Sequence, residues 1–197
     1  MTRPRIAVVG VGYMGRLHAE KLAALAAEGV LDFAGVSDVD VARATEIAAS
    51  HGVPVLATLE RVAEAADAAC VAVPTVEHAR VAGRLLDAGL DVLVEKPIAT
   101  TRADARSLVD RAKSGGRILQ VGHIERFSRA FRAVRPALTR PRFIEAHRIG
   151  PYPSRATDVS VVLDLMIHDL DIVAELAGHE VERVEAVGVS VLSQTED

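Results

Sequence analysis

A doubly wound parallel α/β sheet, followed by a smaller α+β domain, is the fold class that three features of the sequence predict. Short apolar runs alternate with Ala-rich amphipathic stretches, the helix-like stretches close on glycine, and this alternation stops near residue 122. At 197 residues the chain exceeds an average domain of roughly 150 residues. One full domain and part of a second are expected, with boundaries of 1–122 and 123–197.

The apolar run IAVV places a first strand over 5–10, and further runs place strands over 31–38, 53–56, 69–74, 91–96 and 117–122. Helices are predicted between them over 13–28, 40–51, 58–66, 76–89 and 102–115. Gly29, Gly52, Gly89 and the pair Gly115 and Gly116 follow these patterns, where a left-handed residue ends a helix. Beyond 122 a helix-like segment over 127–138 is broken by Pro136 and Pro141, and a strand is expected over 142–150. The loop PYPSRATDV leads into a helix over 159–177 closed by Gly178. Val187, Val189 and Val191 then alternate in a strand over 181–192. Two strands and one helix leave an apolar sheet face without a partner, so the chain is expected to stop partway through its second domain.

Composition excludes several classes. Half the residues are apolar and a quarter charged, unlike a disordered chain or a disulfide scaffold. Cys70 stands alone within ACVAVP and reads as a buried strand thiol in a reducing compartment. The run IAVVGVG is too short to span a bilayer and no signal-cleavage pattern follows it, so a cytoplasmic protein without a membrane partner is expected. A formal charge of −4, with four Phe, two Tyr and no Trp, argues against nucleic acid as a partner.

The first strand runs into GVGYMG, which spaces Gly10, Gly12 and Gly15 as G-x-G-x-x-G at the start of a helix. In that setting Gly10 permits a tight turn, Gly12 lets a pyrophosphate approach the backbone, and Gly15 allows close helix packing. The N–H groups of the helix start, at Tyr13 and Met14, face the phosphates. Asp38 closes the second strand, where a carboxylate accepts hydrogen bonds from ribose hydroxyls and repels a 2′-phosphate. The alternative is a glycine turn beside an ordinary surface acid. The combination predicts a Rossmann dinucleotide site preferring NAD to NADP, although Arg43 lies near enough to accommodate a further phosphate.

Ligands of open α/β sheets gather at the carboxyl ends of the strands. Pro74 and Thr75 end the fourth strand and His78 begins the next helix. Glu95, Lys96 and Pro97 end the fifth, and these positions are candidate cofactor contacts. Lys96, one of three lysines among 23 basic residues, has the chemistry to stabilise an alkoxide during hydride loss. A salt bridge with Glu95 is the plain alternative. In VVLDLMIHDLDIVAELAG, Asp164, His168, Asp171 and Glu175 fall at intervals of four, three and four, on one face of a helix. Asp169 lies off that stripe and reads as a cap or surface acid. Three readings of the stripe stand: a solvated polar face, a metal triad, or His168 as general base with Asp164 orienting it. No further ligand cluster supports a metal, so none is expected.

GVGYMG, EKP at 95–97 and DLMIHDLD at 164–171 together resemble the glucose-fructose oxidoreductase, inositol dehydrogenase and rhizopine catabolism (Gfo/Idh/MocA) family. The resemblance covers essentially the whole chain. It implies a nucleotide-binding domain followed by an open, mostly antiparallel sheet that carries the substrate and often joins subunits, hence a homo-oligomer. It also implies Lys96, Asp164 and His168 as the catalytic positions. QVGHIERF at 120–127 and RATDVSVVLDLMIHDLD at 155–171 are similar to the branch that oxidises the 3-hydroxyl of UDP-N-acetylglucosamine-type sugars, with Met166 where the family has Gly and Ser128-Arg129 where Asn-Pro is common. Arg126 and Arg155 are then candidate contacts for a sugar diphosphate. Arg129, Arg132 and Arg135 read instead as a solvated face. The expectation is an NAD-dependent oxidoreductase acting on a sugar or sugar-nucleotide. A cyclitol or free-sugar dehydrogenase and a non-catalytic NAD-binding sensor are the alternatives.

Overall fold

The computed structural model describes residues 2–149 and 160–191, and the chain divides after Gly122 into two compact units. The first unit is a five-stranded, all-parallel sheet in the order β2-β1-β3-β4-β5, formed by β1 Arg5–Val9, β2 Asp32–Ser37, β3 Ala68–Val71, β4 Asp91–Val94 and β5 Leu119–Val121. Alternate residues face opposite sides of this sheet. Ala7, Val9, Ala69 and Val71 join a core with α3 (Leu59–Ala65), α4 (His78–Asp87) and α5 (Arg102–Gly115). Val8 and Cys70 join a second core with α1 (Tyr13–Ala27) and α2 (Val41–His51). Cys70 is therefore the buried strand thiol expected of it.

The helix ends follow from their sequence. Asp40, Thr58 and Thr101 each accept a backbone N–H three residues on, and Gly52 and Gly116 end their helices in the left-handed region. The order places β1 between β2 and β3, the switch point of a doubly wound sheet, where the crevice opens at the carboxyl edge.

One expected strand of this unit is corrected. Residues 53–56 make only an isolated bridge, Val36 with Val55. Pro54 has no N–H to donate, so the ladder there is limited to Val36 donating to the Pro54 carbonyl and Leu56 donating to that of Val36.

The second unit contains a 3₁₀ turn over Ile124–Phe127, the short helix α6 Arg129–Val134, and α7 Ile167–Ala177, which ends at Gly178. A π-helical turn over Val162–Met166 leads into α7. The strands expected over 142–150 and 181–192 are a second correction: among the described residues, this unit has no strand. Val181, Val184, Val187 and Val191 are exposed, and a strand without a neighbour to complete its ladder is not stable in water. The antiparallel sheet on which self-association would depend is thus absent from the described residues.

Candidate functional site

The chain turns at Gly10, which donates its N–H to the Ser37 carbonyl at 2.7 Å and adopts φ +84°. A Cβ on Gly10 would stand 2.7 Å from the Ala72 backbone, and one on Gly15 would stand 1.8 Å from the Gly10 carbonyl oxygen. The fold itself therefore demands these two glycines. Gly12 differs, because a Cβ there meets nothing within 4 Å. Gly12 also caps α1 without a side-chain hydrogen bond, so the start of the helix leaves open space at Gly12 through which a ligand can approach the main chain. That is the cradle a pyrophosphate requires.

Asp38 stands just beyond β2. Its Oδ2 accepts the Val11 N–H at 2.7 Å, and its Oδ1 accepts the Asp40 N–H at 2.8 Å and the Arg43 guanidinium at 3.2 Å. Burial pushes this carboxyl up, but the Asp40 and Val11 N–H groups together with Arg43 outweigh it and hold the pKa below the ordinary value. An ionised carboxylate has about four acceptor positions, so capacity remains for a ribose hydroxyl. Arg43 is turned inward onto Asp38 and Asp40. A 2′-phosphate would have to take it from those two acids.

Along the carboxyl edge, Pro74 is exposed and precedes a 3₁₀ turn over Thr75–Glu77. His78 is buried, 1% exposed, with Nδ1 2.8 Å from the Pro97 carbonyl and Nε2 2.9 Å from the Val73 carbonyl. Both ring nitrogens are thus used inside the chain. His78 straps the β3 end to the turn after β4 and presents no nitrogen outward for a ligand. Lys96 is half-buried directly after β4, and the Lys96–Pro97 peptide bond is cis. Glu95 is buried, with Oε1 2.7 Å from His18 Nε2 of α1.

In the second unit the polar stripe divides into two parts. Arg126 donates to both Asp171 oxygens at 2.6 Å and to Glu175 at 2.9 Å. Hydrogen bonding to Asp171 is the main cause that raises its pKa, with the charge of Glu175 adding to it. Three of its five N–H donors are thereby committed, which leaves little of the guanidinium for a sugar diphosphate. Asp169, off the stripe, pairs with Arg148 through two bonds of 2.9 and 2.8 Å. Asp164 and His168 remain half-buried at the start of the helix, Asp164 within the π turn. Such turns occur often at functional sites. Arg155 lies outside the described residues. Among the described residues no group of three or more His, Cys, Asp or Glu is arranged to hold a metal ion, and no helix is long and apolar enough to cross a membrane.

A family model described as an oxidoreductase family with an NAD-binding Rossmann fold, Gfo/Idh/MocA, matches residues 4–123. The chain belongs to the Gfo/Idh/MocA family. Among curated members, UDP-N-acetylglucosamine 3-dehydrogenase of Acidithiobacillus ferrooxidans is 36% identical over 198 residues, covering 100% of this chain and 62% of that protein. Inositol 2-dehydrogenase of Rhodococcus erythropolis is 32% identical over 200 residues, covering 96% of this chain and 57% of that one. The chain thus spans about three fifths of the length of these Gfo/Idh/MocA relatives. The solved structure of the A. ferrooxidans enzyme, GnnA, superposes with a TM-score of 0.92 over 100% of this chain and 64% of its own. GenD2 from gentamicin A biosynthesis, solved with NAD, is 26% identical with a TM-score of 0.76 over 90% of this chain and 54% of its own.

Two residues at this edge escaped the reading of the sequence. His18 sits on the Gly15, Ala19, Leu22 stripe of α1, and a histidine at a core-facing position was the available signal. Gly122, where an added Cβ would come within 3.0 Å of Glu95, lies within QVGHIERF, a run that does not single it out.

Proposed function

We propose that this protein is an NAD-dependent dehydrogenase that oxidises a secondary hydroxyl of a sugar, the 3-hydroxyl of a UDP-linked N-acetylhexosamine, to a ketone. The observation that carries the reading lies in the first unit. One sheet edge collects a glycine turn with an open cradle at Gly12, a low-pKa Asp38 and the ammonium of Lys96. Gly10, Gly12 and Gly15, with the N–H groups of Tyr13 and Met14, hold the pyrophosphate of the dinucleotide. Asp38 takes the adenosine ribose, and Pro74, Thr75 and the Glu95-Lys96 strand end line the nicotinamide side.

NAD, when bound, supplies the acceptor for the two electrons and the hydrogen that leave carbon as hydride. The chain supplies the rest. His168 takes the hydroxyl proton, Asp164 orients its imidazole, and Lys96 donates a hydrogen bond to the oxygen as negative charge develops on it. The C–H and O–H bonds break as the C=O bond forms, so the products are ketone, reduced cofactor and one proton on His168.

The similarity to UDP-N-acetylglucosamine 3-dehydrogenase over the whole of this chain supports this choice of substrate. One observation favours a cyclitol instead: Arg126, a candidate for a sugar diphosphate, is bound by Asp171 and Glu175. Inositol 2-dehydrogenase is the corresponding relative. The test offers NAD with UDP-N-acetylglucosamine or with myo-inositol and follows NADH by absorbance. Turnover of the UDP-sugar is expected, and Lys96→Ala or His168→Ala should lower it by about 10²-fold or more with NADH affinity retained. Turnover of inositol alone would assign the cyclitol, and unchanged rates in both variants would remove the catalytic roles.

A further inference from the structure

Glu95 closes β4 with its side chain only 8% exposed. A carboxylate at that depth persists only where opposite charge or several donors surround it. Two donors do so, and a third element closes the slot around them. From α1, His18 brings Nε2 to 2.7 Å of Oε1. The Lys96 N–H reaches Oε2 at 3.3 Å. Just past β5, Gly122 closes the remaining side, where a Cβ would stand 3.0 Å from Oε2 and 3.1 Å from Oε1. Both oxygens are thereby fixed in a slot that joins the helix of the phosphate cradle to the residue bearing the ammonium.

We propose that His18 is a positioning residue. By donating to Glu95 it locks the end of β4, and so holds Lys96 at one place relative to the glycine turn of the same unit. This rests on the reading of Lys96 as the group that stabilises the alkoxide. His18 acts only through Glu95. The titratable groups facing it are Cys70 of β3 and Glu95, and both push its pKa up, against burial, to about 9. The ring therefore carries its second proton at neutral pH, and Nε2–H donates to the carboxylate. α1 is anchored on the sheet independently through Gly15, Ala19 and Leu22. Loss of the imidazole would leave the helix in place and free the Glu95 carboxylate to turn, taking from the Lys96 N–H its acceptor.

The test compares wild type, His18→Ala and His18→Gln, the last keeping an N–H donor of similar reach without the charge. In His18→Ala, kcat should fall about tenfold, since small displacements of reacting groups are costly, with KM for NAD within about twofold. His18→Gln should recover most of the loss. A merely structural histidine would lower thermal stability, leave kcat per folded site unchanged and gain nothing from Gln. A second readout needs no turnover: hydrogen exchange at the Lys96 amide, followed by NMR, should accelerate about tenfold in His18→Ala while amides of β1 keep their rates. Unchanged exchange at Lys96 overturns the proposal, as does unchanged kcat in an active enzyme. If wild type oxidises no sugar at all, the dehydrogenase reading fails and the exchange measurement alone decides the role of His18.

Discussion

The first unit builds its glycine turn from main chain, and the second builds its polar face from charged side chains. At the glycine turn the defining groups are a carbonyl, several N–H donors and the absence of Cβ atoms. In α7 they are carboxylates held by a guanidinium. Two buried acids make the contrast concrete. Glu95, 8% exposed, faces a cation that can lose its proton, whereas Asp171, 9% exposed, faces one that cannot. The main-chain site is intolerant of added bulk and the side-chain site of lost charge, and Glu95 is sensitive to alkaline pH through its partner.

The largest effect should come from Gly15→Ala. Its Cβ collides with backbone, which has no rotamer to yield, so a loss of about 3 kcal/mol in unfolding stability is expected, at the top of the range for overpacking. Chemical denaturation measures it. Arg126→Ala strikes the other unit by taking from Asp171 its two-pronged guanidinium partner, while Glu175 keeps Arg135 at 3.6 Å. Arg126 is partly exposed, so the cost should be about 2 kcal/mol, below that of breaking a fully buried pair. Arg126→Lys should restore little, since an ammonium cannot span both Asp171 oxygens.

Next in size is a pH effect confined to the first unit. The folded pKa of His18, about 9, lies above its ordinary 6.5. Its contribution to stability is therefore complete below about pH 6.5 and lost as pH rises through about 9. Melting curves across that window should show wild type losing about 1 kcal/mol or more, allowing for partial exposure, and His18→Gln showing a flatter profile. The ion pairs of Arg126 should not titrate there. The smallest stability change is expected for Gly12→Ala, less than about 1 kcal/mol for a helix cap. Its NADH affinity should nevertheless drop about tenfold, or 1.4 kcal/mol, because the added methyl fills the cradle. Stability and binding would then separate Gly12 from Gly15, as the different roles expected of them in the glycine motif require.

The same contrast explains what could be read without coordinates. Single strands, helix caps and the glycine spacing are local patterns, and the residues that form each of them lie close together in the chain. Pro54 defeated one strand because a run of apolar residues hides the missing N–H. The stripe from Asp164 to Glu175 was legible as a helix face, but its division was not: Arg126 belongs to a different element, and nothing in its own neighbourhood marks it as the partner of Asp171. His18 and Gly122 were missed for a related reason. Each matters through Glu95, and that three-way contact exists only after the sheet has assembled.

In the proposed reaction, hydride leaves carbon 3 of a UDP-sugar for the nicotinamide. This transfer is tested most directly with UDP-N-acetylglucosamine carrying deuterium at that carbon, by weighing the reduced cofactor. Cofactor heavier by one deuterium, formed more slowly than from unlabelled sugar, is the result predicted. Unlabelled NADH, or none, would contradict it.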